Sequence, residues 1–181
     1  ERGARVLVFN PLKEKGLERF SNPQDSLEML HGGSKPTSTD YFQPRLGGDM
    51  AVFRGIAKWL FIEDRMATAN GSASILDHEF LQQHCADLND YRQQVDDTSW
   101  EQIESQSGLS REQLKAICDV YINSKRVICT WAMGITQHRH SVVTIREMTN
   151  VMLLRGNIGR EGAGLCPVRG HSNVQGDRTV G

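Results

Sequence analysis

The chain has 181 residues, of which 38% are hydrophobic and 24% charged. That is enough apolar material for the core of one ordinary domain and argues against wholesale disorder. Lys and Arg number 21 against 22 Asp and Glu, a net charge of -1, so the composition makes no case for a nucleic-acid or other polyanion binder. No apolar run is long enough to cross a bilayer, and no secretory leader is expected.

In chain order, Val6-Leu7-Val8-Phe9 is a short apolar run with two β-branched residues, which suits a strand buried on both faces of a parallel sheet. Asn10-Pro11 ends it, because Pro11 lacks a backbone donor and restricts Asn10. Lys13 to Pro36 is polar, with Asn22-Pro23 and Gly32-Gly33, and reads mostly as loop with room for one short helix. A second short strand is expected near Asp40 to Gln43. Gly47-Gly48-Asp49 then opens a helix with Asp49 as its N-cap. Val52, Phe53, Ile56, Trp59 and Leu60 recur at helical spacing, with Arg54 and Lys58 elsewhere on the wheel. Met66 to Ser74 is small and polar and reads as a loop.

Asp77 to His84 and Leu88 to Val95 read as short helices. Thr98 with Glu101 and Ser110 with Gln113 have capping-box spacing, and the second box starts a helix with Leu114, Ile117, Cys118 and Tyr121 on one face. Val127 to Trp131 is the next buried-type strand, followed by a loop from Ala132 to His140. Ser141 is placed to cap an apolar helix through Val142, Ile145, Met148, Met152 and Leu154, and Gly156 stands where a left-handed residue ends it. Seven of the 17 glycines lie in the last 31 residues, so that tail is expected to be a shaped loop rather than helix or strand. Strands alternating with helices give an α/β fold in a single domain over 1–181, with the helices between Asp77 and Asn123 as an insertion and 162–181 as an extended tail.

Cys85, Cys118, Cys129 and Cys166 are far apart, with no C-x-x-C pair. Reduced, partly buried thiols follow, and with them a reducing compartment such as the cytoplasm. The apolar run just after Glu1 and the glycine-rich stretch reaching Gly181 read as parts of a longer polypeptide. Function is then one domain's share of something larger.

Three loops and the tail hold the candidate chemistry, and ligands of open α/β sheets collect at the carboxyl ends of strands. Asn10 offers an amide suited to a nucleoside hydroxyl or base edge, or simply closes an Asn-Pro turn. Adjacent glycines at Gly47-Gly48 let backbone approach a ligand, and free amides at the helix start favour anions. The Asp49 carboxylate either caps its own helix or accepts the paired N–H donors of a guanine edge. In Ala132-Met133-Gly134-Ile135-Thr136-Gln137-His138, Gly134 allows a tight turn and Gln137 offers uncharged hydrogen-bonding groups; neither a dinucleotide fingerprint nor a P-loop is present. His138, His140 and His171 lack a carboxylate at ligand spacing, so no metal ligands are assigned. The tail from Pro167 to Gly176 sets Arg169, His171, Ser172, Asn173 and Gln175 between glycines, which suits a polar, multiply oxygenated ligand.

Taken in order, Trp131 to His138, Leu154-Arg155-Gly156-Asn157-Ile158-Gly159, Gly162-Ala163-Gly164, Pro167-Val168-Arg169-Gly170 and Asn173-Val174-Gln175-Gly176 resemble the molybdopterin oxidoreductases. Within them the chain is most similar to the formate dehydrogenase alpha-subunit group, and it aligns with that family's third domain. The resemblance implies a Rossmann-like, open and mainly parallel sheet flanked by helices. It also implies a bis(molybdopterin guanine dinucleotide) cofactor carrying molybdenum, or tungsten in some members, and two-electron chemistry on a small substrate. A [4Fe-4S] cluster elsewhere in the parent chain, the remaining domains and an electron-transfer partner belong to the same picture. Carried over by position, Asn10 and Pro11 sit by the guanosine, Gly48 and Asp49 by the guanine, and Met133, Gly134 and Gln137 by the pterin or pyrophosphate. Gly170, His171, Ser172 and Asn173 reach the cofactor near the reaction centre, and Arg169 matches the arginine that holds an anionic substrate. The chain departs from the family where Asn10-Pro11-Leu12 lacks one acidic and one basic residue, and where His171 replaces a glutamine. A non-catalytic guanine-nucleotide-binding or regulatory module is the alternative. The isolated fragment is expected to be inactive, with its tail mobile when separated from cofactor and neighbours.

Overall fold

The computed structural model describes residues 3–30 and 34–168. β1 (Leu7–Phe9) precedes a small arm of α1 (Lys15–Glu18), β2 (Arg19–Phe20), α2 (Ser26–Leu30) and β3 (Lys35–Pro36), then β4 (Asp40–Phe42). The long α3 (Asp49–Ala69) is followed by α4 (His78–His84), α5 (Leu88–Asp97), α6 (Trp100–Ser107) and α7 (Arg111–Asn123). β5 (Ile128–Trp131), α8 (Met133–Thr136), α9 (Ser141–Leu154) and β6 (Gly164–Pro167) come last.

Parallel pairing occurs twice. β1 lies beside β4 with Leu7 opposite Asp40 and Phe9 opposite Phe42. β5 lies beside β6 with Ile128 opposite Gly164 and Trp131 opposite Pro167. Each pair is joined through helix or arm, as parallel neighbours require. The fold is thus α/β, and α4 to α7 form the helical insertion between α3 and β5. The described strands are hydrogen-bonded only in pairs, with β2 and β3 antiparallel, and do not merge into one open sheet. β6 falls inside the glycine-rich tail expected to be loop. Gly164 sits at φ 147°, and its N–H bonds to the Val127 carbonyl at 3.0 Å, so the chain enters β6 where a side chain would be strained.

α3 is the centre of the core. Val52, Ile56, Leu60 and Phe61 pack with Val95, Ile103, Leu114, Ile117, Cys118, Val151, Met152 and Leu154. Each such side chain contributes about 1.5–3 kcal/mol when fully buried. Gly55 allows the close approach of α6 and α7, because a Cβ there would lie 2.8 Å from Leu114 Cδ1 and 3.0 Å from Ile103 Cγ2. The helix is surrounded on more sides than its apolar stripe implies, so charges on the rest of its wheel are buried as well. Lys58 donates to the Val95, Asp96 and Thr98 carbonyls at the end of α5, at 3.2, 3.0 and 2.6 Å, and burial lowers its pKa. Arg54 makes a two-pronged pair with Glu147 of α9 at 2.6 and 3.0 Å, and the Tyr91 hydroxyl donates to the same carboxylate at 3.0 Å.

α3 runs to Ala69, through part of the segment expected to be loop. Asp64 accounts for its firm end. Burial alone would raise its carboxyl pKa, but the Ser74 hydroxyl and the Leu76 and Ile75 amides outweigh that and hold it below the usual range. Ser110 and Gln113 form the complete capping box at the start of α7. The neighbouring expectation is displaced by one residue: Ser99, not Thr98, caps α6 by accepting the Gln102 amide at 3.1 Å. Ser141 is the first residue of α9 rather than its cap, which is His140 with no side-chain bond. Gly156 has φ 58°, the left-handed ending expected. Just beyond it, buried Asn157 donates to the Tyr121 hydroxyl at 3.0 Å and accepts the Val127 amide at 3.2 Å. One side chain thereby ties the end of α9 to α7 and to the entry of β5.

Candidate functional site

The three candidate loops leave the carboxyl ends of β1, β4 and β5. After β1, the Asn10 amide N–H bonds to the Phe42 carbonyl at 3.1 Å, and its side-chain nitrogen donates to Leu12 O at 2.8 Å. Tyr41 donates to the same Leu12 carbonyl at 2.6 Å, and Gln43 donates to Pro11 O at 3.1 Å. Asn10 and Pro11 therefore form a braced turn, which leaves Asn10 Oδ1 as the part of the amide without a partner among the described residues.

The loop after β4 is held by Arg45. Its backbone N–H bonds to Ser107 O at 2.8 Å, and its guanidinium donates to Ser105 O at 2.7 Å, so the loop is pinned to the end of α6. Gly48 is buried in that contact. A Cβ on it would stand 2.6 Å from Gln106 O and 3.0 Å from Arg45 O, so its missing side chain serves helix packing rather than approach to a ligand. Gly48, not Asp49, is the N-cap of α3, and Asp49 is the first helical residue. The Asp49 side chain makes no hydrogen bond or ion pair with any described residue. Its carboxylate is thus uncommitted, and the capping role expected of it does not occur.

After β5, α8 turns Met133 to Thr136, and Gln137 caps it with its N–H on Met133 O at 3.1 Å. Met133, Gly134 and Gln137 are exposed, and no atom lies within 4 Å of a Cβ built on Gly134. The chain's own packing does not demand glycine there.

Two of these loops meet. Gly47 and Asp49 from the start of α3 form one wall of a cleft, and Ile135, His138, Arg139, His140 and Thr144 form the other, enclosing a cavity of ≈ 100 Å³. A Cβ on Gly47 would lie 3.9 Å from His138 Nδ1, which measures how closely the walls approach. The first turns of α3 and α9 both open at this cleft without a side-chain cap, so unpaired backbone N–H groups and the positive ends of two helices converge there. One carboxylate, one guanidinium and two imidazoles complete a polar rim. An anion near the helix starts and Arg139, with a donor pair facing Asp49, would satisfy it.

Of the residues assigned to the cofactor by position, only Asp49 lines the cleft, joined by Gly47 of the glycine pair and by Ile135 and His138 of the loop after β5. Nothing in the sequence pattern singles out Arg139 or Thr144, and His138 and His140 stand out there only for metal-ligand chemistry. The signal for this wall was the Gln137 to Ser141 polar stretch just before an apolar helix. Arg169, Gly170, His171, Ser172 and Asn173 lie outside the described residues. The strand that leads to them ends beside the α8 loop, with the Val168 N–H on Trp131 O at 2.7 Å. Among the described residues no group of three or more His, Cys, Asp or Glu is placed to hold a metal ion. All four cysteines are free, and burial pushes the Cys118 thiol up to about 12 and that of Cys129 up to about 11, so both are inert thiols at neutral pH. No helix among the described residues is long and apolar enough to cross a membrane.

No protein-family model matches the chain. Protein YdeP of Escherichia coli is 45% identical over 181 residues, which is 100% of this chain and 24% of YdeP. The uncharacterized oxidoreductase Mb2924c of Mycobacterium bovis is 44% identical over 180 residues, 99% of this chain and 22% of that protein. Formate dehydrogenase H of Escherichia coli is 32% identical over 108 residues, 60% of this chain and 15% of that enzyme. The chain thus spans about a quarter of the length of the first two, at 24% and 22%.

Proposed function

We propose, from the premise that the chain belongs to the formate dehydrogenase-like oxidoreductases, that it is the domain holding one guanine dinucleotide end of a bis(molybdopterin guanine dinucleotide) cofactor. The observation that carries this reading is the convergence of the α3 and α9 starts on a cleft where the Asp49 carboxylate has no described partner. A carboxylate matches the adjacent N1–H and 2-amino donors of guanine in bidentate fashion, and helix starts with Arg139 suit the diphosphate. Helix starts gathered at strand carboxyl ends accord with a Rossmann-like dinucleotide arrangement, with further strands supplied by the rest of the polypeptide. The residues present fit the group: Asp49 would take the base, Asn10 Oδ1 a ribose or base donor, and the α9 wall the charge. When bound, the cofactor supplies a molybdenum or tungsten centre for two-electron oxidation or reduction of a small substrate.

In this reading Arg169 orients an anionic substrate through its permanently charged fork, and Gly170, His171, Ser172 and Asn173 contact the cofactor nearby. Electrons leave through a partner or an iron-sulfur cluster, and the other domains complete the grip on the cofactor, so the 181-residue piece alone has no turnover. Free thiols accord with the cytoplasm.

The test is the metal and nucleotide content of the full-length protein. Mass spectrometry for molybdenum and tungsten, with guanine nucleotide released by acid, is expected to give about one metal and two nucleotides per chain. Asp49→Asn should lower the nucleotide retained while leaving the protein folded. A full-length protein with neither metal nor nucleotide, from cells able to make the cofactor, overturns the reading. Guanine nucleotide without metal replaces it with the non-catalytic module.

A further inference from the structure

Thr144 lies one turn inside α9 and lines the cleft, yet it is only 6% exposed. Its backbone N–H bonds to His140 O at 2.9 Å, but its hydroxyl has no hydrogen-bond partner among the described residues. The contrast with Thr149 on the same helix is direct, since that hydroxyl donates back to the Ile145 carbonyl at 2.8 Å. A mid-helix threonine usually bonds to the preceding turn or points to water. Thr144 makes no bond to the preceding turn, which leaves its hydroxyl free to bond outward. Its hydroxyl is also not among the unpaired polar atoms sealed from solvent, which are Arg92 Nε and Arg111 Nε. It therefore borders open space, and the cleft is the opening its residue lines.

We infer that Thr144 and Arg139 form the diphosphate-binding side of the cleft, the hydroxyl and guanidinium together holding the phosphates of a guanosine diphosphate moiety whose base is taken by Asp49. This rests on the dinucleotide reading above and adds the residues that hold its charged part. The hydroxyl donates one directional hydrogen bond from a shielded position. Arg139 is exposed and supplies charge and a planar fork. The uncapped first turn of α9, between these two residues, adds backbone N–H donors. Asp49, on the opposite wall, repels phosphate and so fixes which end of the ligand faces which helix.

The test uses the full-length protein purified from cells unable to make the pterin cofactor, titrated calorimetrically with GDP and separately with inorganic pyrophosphate at two salt concentrations. Thr144→Val is expected to weaken both ligands about tenfold, and Thr144→Ser, which keeps the hydroxyl, to restore them. Arg139→Gln should weaken both and flatten their salt dependence. Asp49→Asn should weaken GDP and leave pyrophosphate unchanged or tighter. If Thr144→Val and Arg139→Gln bind as the parent does while Asp49→Asn loses GDP, the phosphates lie elsewhere. The inference then falls, and the dinucleotide reading stands. If Thr144→Ser is as impaired as Thr144→Val, the residue acts through packing, and the inference falls in the same way. If the parent binds neither ligand and the cofactor-competent preparation also lacks guanine nucleotide, both fall together.

Discussion

The buried charges around α3 and the polar groups at the cleft are treated in opposite ways. Lys58, Asp64 and Glu147 are each shielded from water, and each has two or more hydrogen-bond partners. Asp49 and Thr144 have no side-chain partner among the described residues, although they stand at the starts of the same two helices, α3 and α9. Desolvated charge is tolerated in a core only when it is paired, so the first group is explained within the chain. The second group has no protein partner among the described residues and lines the open cleft. The helical side satisfies its own charges; the strand-end side leaves polar groups open to the cleft.

That contrast is broken most strongly at Glu147. Glu147→Ala leaves the Arg54 guanidinium, whose side chain is only 17% exposed, without its carboxylate. It should cost about 3–5 kcal/mol of stability in chemical denaturation. Gly48→Ala comes next. The added methyl meets the Gln106 and Arg45 carbonyls, which are backbone and cannot swing away, so a loss of about 1–3 kcal/mol is expected. Because Gly48 also sets where α3 begins, the same change should weaken guanine nucleotide binding, so a variant that binds normally would uncouple the pinned loop from the cleft.

Asp64 gives a pH-dependent version of the same comparison. Its pKa is lowered on folding, so the stability it adds is fully present above the ordinary carboxylate range and is lost as pH falls through its folded value. Asp64→Asn should cost about 1–2 kcal/mol at neutral pH and less in acid, giving a shallower loss of stability on acidification than the parent. A parallel pair of curves would assign the acid sensitivity elsewhere. The smallest effect belongs to the cleft itself. Asp49→Asn should change the unfolding free energy by no more than about 0.5 kcal/mol, because no described side-chain contact is lost, while reducing the nucleotide retained.

The parts of the fold that follow local rules could be read in advance. The capping box at Ser110 and Gln113, the left-handed Gly156 and the apolar face of α7 each depend on residues within a few positions of one another. β1 and β5 were legible as strands, but not their surroundings. Val127 to Trp131 has the composition of a strand covered on both faces, whereas Ile128 is 60% exposed. The β6 pairing escaped notice because glycine-rich composition argues against a strand, while a parallel partner more than 30 residues away overrides it. The cleft was half visible. Asp49 could be named from its place after two glycines, but the wall facing it comes from another strand–helix unit. Nothing local marks Thr144 as different from Thr149. Gly48 shows the limit of such reading, since glycine signals close approach without saying whether a ligand or a neighbouring helix does the approaching.

The ion pair between Arg54 and Glu147 joins residues 93 apart along the chain, and it fastens the two helices whose first turns border the cleft. α5, α6 and α7 lie much nearer to α3 in sequence, so they can gather on it while α9 has yet to be synthesised. Synthesis from the N-terminus thus allows the helical cluster to gather before α9 and the wall it carries exist. The cleft, with one wall from each of these helices, is complete only once α9 has joined α3.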